Sequence, residues 1–238
     1  MSKRLLLIIA GFVVASLLGL TLYTKMHHSS HEEKTNPAFS AYINAYTSGI
    51  ISSESIIGCR VSDGHLFELF VDEATSPSSW PSWEPDIVKL EDAIRTAFTR
   101  YRVVGFYADP ARDWRSHVDS WEATYGSRTA LAVTAGHPFE WWFSGGRSTL
   151  VERAVELFEG AVRNHDLSHA GEFRLTEHVL NARRRVVHSK LTLGKASDYS
   201  DRKIDACTAA VLAYQARVDA VAKGEPRVRK TAVIIRAR

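Results

Sequence analysis

Arg102-Val-Val-Gly-Phe-Tyr-Ala-Asp-Pro110 is a short, nearly continuous apolar run that stops at an acid and a proline. An unbroken apolar run of this length is what a strand buried on both faces requires. Upstream, Ile87, Leu90, Ala93, Ile94, Ala97, Phe98 and Tyr101 recur at helical spacing and predict an amphipathic helix over about 86–101. Further upstream, two runs rich in β-branched and aromatic residues, 56–61 and 65–71, flank Asp63-Gly64, a strong hairpin signal. Downstream, Pro110 suits the first turn of a helix over about 111–125, and Leu131–Thr134 reads as another short strand. Helices follow at about 147–164, 175–181 and 204–221, with a strand at 186–193 ended by Gly194. Strands that alternate with helices argue an α/β layer architecture with a largely parallel central sheet.

The chain has 238 residues, 30 Lys+Arg against 27 Asp+Glu, and a formal net charge of +3. That length suits one domain plus appendages. The composition excludes a mostly disordered chain, a collagen-like repeat and a disulfide scaffold. The charge is uneven. From Lys223 onward the tail holds six Lys/Arg and one acid, so residues 1–222 are slightly acidic. Any nucleic-acid affinity must come from local patches.

Leu5–Tyr23 is an unbroken apolar or small-residue run after Lys3 and Arg4, long enough to span a membrane. It predicts an uncleaved anchor, with a cleaved signal as the alternative, over residues 1–25. The basic flank would keep Lys3 and Arg4 in the cytoplasm. Residues 26–56 read as a polar linker with a replacement strand within Tyr46–Ile57. His27, His28 and His31 in it fit a solvated linker better than a metal site.

Two acids stand out. Asp109 follows the C-terminal end of a buried strand, where open α/β sheets place ligands, and it would equally cap a helix. Asp205 falls in the first turn of the last helix, where the dipole favours an acid. Carboxylates on separate elements can hold a divalent metal against phosphate oxygens, although a metal pair needs three or more acids. Arg183-Arg184-Arg185, His188, Lys190 and Lys195, with Arg174 and His178, can form a phosphate-contacting face or a solvated edge. Trp141 and Trp142 fit packing better than base stacking. Cys59 and Cys207 read as reduced core residues. Phosphate-loop, nucleophile-elbow and zinc motifs do not occur in the sequence.

Together, several ordered motifs resemble the C-terminal nuclease domain of phage terminase large subunits. They are Cys59-Arg-Val-Ser-Asp-Gly-His-Leu-Phe-Glu-Leu69, Val104-Gly-Phe-Tyr-Ala-Asp-Pro110, Glu140-Trp-Trp142, Leu167-Ser-His-Ala-Gly-Glu-Phe-Arg-Leu-Thr-Glu-His178 with Val179-Leu-Asn-Ala-Arg183, and Lys203-Ile-Asp-Ala206. The resemblance covers about 57–222. It implies an RNase H-like mixed sheet flanked by helices, and an endonuclease that cuts concatemeric double-stranded DNA with Mg²⁺ or Mn²⁺. By the resemblance, Asp109 and Asp205 are metal-holding catalytic acids. Arg183, Arg184, Arg185, Lys190 and Lys203 would contact DNA, and the portal and small terminase subunit would be partners in a cytoplasmic packaging machine. No nucleotide is expected, because the ATPase half has no counterpart here. The family's first catalytic Asp, on its first strand, is also unmatched: Asn44-Ala-Tyr-Thr-Ser-Gly49 stands there, with Glu54 the nearest substitute acid.

Residues 39–57 are similar to the opening segment of bacterial alpha-2-macroglobulin-like proteins, so the chain reads as a join near 50–58. Two functions follow: an impaired metal-dependent endonuclease, or an inactive membrane-anchored binding or structural module.

Overall fold

The computed structural model describes residues 41–46, 53–74, 83–111, 114–143, 147–197 and 200–224. The segment 5–23, the linker 24–38 and the tail beyond Gly224 lie outside them. Among the described residues no helix is long and apolar enough to cross a membrane.

The chain enters the sheet at β1 (Ala41–Tyr46), then β2 (Ser53–Arg60) and β3 (His65–Glu73). Helix α1 (Ile87–Arg100) leads to β4 (Gly105–Ala108), and α2 (Arg115–Tyr125) follows. Then come α3 (Ser148–Asn164), β5 (Ser168–His169), α4 (Phe173–Asn181), the hairpin β6 (Arg183–Val187) and β7 (Lys190–Gly194), and α5 (Asp205–Lys223). The main sheet has the order β4-β1-β2-β3-β5. β1–β2 and β2–β3 are antiparallel, while β1–β4 and β3–β5 are parallel. The sheet is therefore mixed, which corrects the largely parallel reading. The physical reason is the tight turn at Asp63-Gly64, which folds β3 straight back on β2. Gly64 sits at φ +74°, and a Cβ there would meet the Asp166 carbonyl at 2.9 Å. Arg60 closes the turn by pairing with Asp63 at 2.6 Å.

β1 and the first residues of β2 lie upstream of residue 57. The strand beside β4 is Ala41–Tyr46, not a segment of Tyr46–Ile57. Two further expectations need correction. Leu131–Thr134 forms no strand: Ala130 and Leu131 both donate to the Val104 carbonyl, and the chain turns back through Thr134 and His137. The expected strand 186–193 is a two-stranded hairpin that turns at His188 and Ser189, at φ 48° and 63°. That geometry normally calls for Asn-Gly, so the turn signal is absent from the sequence.

The sheet is covered on both faces. On one, Leu90, Ile94, Ala97 and Phe98 of α1 and Trp121 of α2 pack around Phe106 and Phe139. On the other, α5 lies over β2, β1 and β4, with α3 and α4 against it. Alanines at 206, 209, 210, 213 and 216 are wholly buried and let α5 approach closely. Trp141 belongs to this second core, as packing rather than stacking.

Candidate active site

The register gathers one edge of the sheet. β1 and β4 run in parallel to Ala45 and Ala108, so Asp109 comes next at the end of β1. β2 starts at this edge, with Ser53 opposite Glu73 and Glu54 opposite Asp72 at the end of β3. Asp205 opens α5 at the same edge.

Asp109 is 3% exposed, and its Oδ1 accepts from the Ala111 N–H at 3.2 Å. The bond closes a turn, and α2 starts only at Arg115, so Asp109 does not cap that helix and Pro110 does not open it. Asp205 is 2% exposed and accepts a hydrogen bond from the Ser53 hydroxyl. Glu54 is 1% exposed, and among the described residues neither of its oxygens has a hydrogen-bond partner. It alternates to the other side of the pleat from Ser53. Burial above all, then the charges of Asp72 and Asp205, push its carboxyl from 4.5 up to about 8.

Around these acids stand groups of the opposite kind. Lys203 is buried two residues before Asp205, and burial lowers its ammonium most, against the raising effect of Asp205 and Glu73. His178 does not belong to a solvent-facing phosphate surface. It is 1% exposed, its Nε2 is 3.1 Å from Glu73 Oε2, and its Nδ1 accepts from the Ala206 N–H at 2.9 Å. That hydrogen bond holds the Glu73 carboxyl below its usual range. Arg174 stays exposed and reaches Glu73 at 3.5 Å and the Val71 carbonyl.

The basic residues of the hairpin are engaged within the chain. Arg184 pairs with Glu159 at 3.0 Å and Lys190 with Glu152 at 2.8 Å. Arg183 donates to the Leu180 and Ala182 carbonyls, and Arg185 to that of Lys195. Cys59 and Cys207 are free, buried thiols that burial pushes up to about 12.

No family model matches the chain. It is 33% identical over 166 residues to the Gene 13 protein of Mycobacterium phage D29, across 69% of this chain. The chain spans only 27% of that relative's length. Its structure is similar to the large terminase nuclease from thermophilic phage G20c with bound magnesium, at a TM-score of 0.51 and 12% identity, over 82% of this chain and 91% of that one. The body has the large terminase nuclease fold. The cobalt-bound form of the G20c protein gives the same result, at 0.50 and 13%.

Sequence reading missed Ser53 and Glu73 and gave His178 a surface role, because their roles depend on pairing between distant elements. It also missed a second cluster. Ligand atoms of Asp119, His137 and Glu140 lie within 4.8 Å of one another. Arg115 already sits 3.1 Å from Glu140, and Glu122 is 3.1 Å from His137 Nδ1, so this cluster carries its own cation. At the terminase-fold sheet edge, by contrast, Glu54 has no hydrogen-bond partner among the described residues.

Proposed function

We propose that this chain is a metal-dependent DNA endonuclease domain of phage terminase type, acting in DNA packaging. The observation that carries the reading is a pair of buried acids at one sheet edge, Asp109 where β4 ends and Asp205 where α5 begins. A buried acid in such company needs either a proton or a cation. An all-oxygen carboxylate set suits Mg²⁺ or Mn²⁺. The buried acids Asp109 and Asp205 fit the group and would hold it, while Glu54 lies on the other side of the pleat from the Ser53–Asp205 pair. Bound there, the metal would supply a nucleophilic hydroxide at neutral pH and offset charge on the phosphate.

The chain's own residues have definable tasks. Ser53 donates to Asp205 and orients its carboxylate. Burial of Asp109 and Asp205 strengthens every charge interaction at the edge. Lys203, beside them, would hold a phosphate of double-stranded DNA, and Arg183, Arg184, Arg185 and Lys190 would extend that contact along the hairpin, Arg184 and Lys190 by exchanging Glu159 and Glu152 for phosphates.

A second reading is an inactive scaffold with the same fold. It is favoured by β1, Ala41-Tyr-Ile-Asn-Ala-Tyr46, which carries no acid. Plasmid nicking with Mn²⁺ separates the two. Cleavage by the wild type, abolished by Asp109→Ala and by Asp205→Ala, is expected. A folded wild-type protein that leaves supercoiled plasmid intact means the scaffold reading holds.

A further inference from the structure

We infer that His178 is a positioning residue that fixes the Asp205 carboxylate for cation binding; this rests on the metal reading above. The first N–H groups of a helix lack intrahelical acceptors. The N-cap of α5, Ile204, offers no side-chain acceptor. His178 supplies one from another helix, because its Nδ1 takes the Ala206 N–H at 2.9 Å. With Nδ1 accepting, the ring hydrogen lies on Nε2, which donates to Glu73 Oε2 at 3.1 Å. Glu73 stands opposite Ser53 in the β2–β3 register, and Ser53 donates to Asp205. The contacts close a ring: β3 through Glu73, α4 through His178, α5 through Ala206 and Asp205, and β2 through Ser53. Asp205 is thereby held from its backbone and from its side chain at once. His178 is 1% exposed, so it touches no substrate, and its effect must pass through Asp205.

Partners that orient a metal-holding side chain contribute roughly 10–100-fold to metal affinity. The test titrates MnCl₂ into the full-length chain by calorimetry, with thermal melts alongside. His178→Phe keeps the ring shape and removes both hydrogen bonds. It should weaken Mn²⁺ binding at least about tenfold while the metal-free protein still melts cooperatively. His178→Asn places an amide oxygen near the Nδ1 position and should recover most of the affinity. In the nicking assay His178→Phe should raise the Mn²⁺ concentration for half-maximal rate and regain the rate at saturation. Should His178→Phe fail to fold, Glu73→Ala, which frees the ring from β3, carries the same expectation. Unchanged Mn²⁺ affinity in His178→Phe or Glu73→Ala, with affinity lost in Asp205→Asn, overturns the positioning role alone. Unchanged affinity in Asp205→Asn overturns the metal reading and the inference together.

Discussion

On the α1/α2 side of the sheet, large rings fill the space. Phe106 meets Phe139 edge to face at 4.9 Å, and Phe98 stacks on Tyr125 at 4.3 Å. On the α5 side, a row of alanines brings the helix onto the strands, and the polar groups cluster where that helix begins. Ring packing is worth more per residue and carries no chemistry. Close approach by alanine gives up side-chain area and gains placement: the first turn of α5 sits against Ser53, Glu73 and His178. One face is filled by interlocking rings, and the other sets the geometry of the acids.

The difference can be broken from either side. The largest effect belongs to the aromatic face. Phe106→Ala, at a wholly buried ring, should cost about 3–5 kcal/mol in urea unfolding. Mn²⁺ affinity of the folded fraction should stay within twofold of wild type. A comparable loss of affinity would show that the two faces are not separable.

Glu54 comes next. Unfolded, it releases its proton near pH 4.5; folded, it keeps it to about 8. Between those values the folded chain holds the extra proton, so stability falls as pH rises through the window. From pH 5.5 to 8.5 the metal-free protein should lose on the order of 3 kcal/mol from this group. Glu54→Gln should flatten that slope and exceed wild-type stability at pH 8.5. Parallel slopes in melts of the two proteins would place Glu54 in a solvated or cation-paired setting.

Ala209→Leu tests close approach. Ala209 has no exposed surface, and overpacking costs about 1–3 kcal/mol. Because the shift moves α5, Mn²⁺ binding should weaken as well, in contrast to Phe106→Ala. The smallest effect is Arg184→Ala on the hairpin. Its exposed pair with Glu159 is worth at most about 1 kcal/mol to folding. Its loss should lower the salt slope of DNA binding by about one unit.

Much of this was legible in the residues. The Asp63-Gly64 turn needs a positive φ and announces it. Helices α1, α3 and α5 follow apolar periodicity to within a residue or two of their ends. Asp109 and Asp205 were visible as acids at element ends. β1 was harder to read, because Ala41–Tyr46 alternates weakly and follows a polar linker. The hairpin turn at His188-Ser189 was hidden for want of glycine or asparagine. His178 looked like one more basic residue beside Arg183–Arg185. Helical spacing does not reveal that its ring points inward, since the partners come from β3 and α5, 105 and 28 positions away.

The most direct test of a cation at the sheet edge is to let the ion mark its own position. Fe²⁺ in place of Mn²⁺, with ascorbate and peroxide, cuts the backbone beside the bound metal, and mass spectrometry reads the sites. Cuts at 53–55, at 109 and at 203–206, suppressed by excess Mg²⁺ and absent in Asp205→Asn, are the predicted result. Cuts confined to the neighbourhood of Asp119, His137 and Glu140 would contradict it and move the metal to the other face of the sheet.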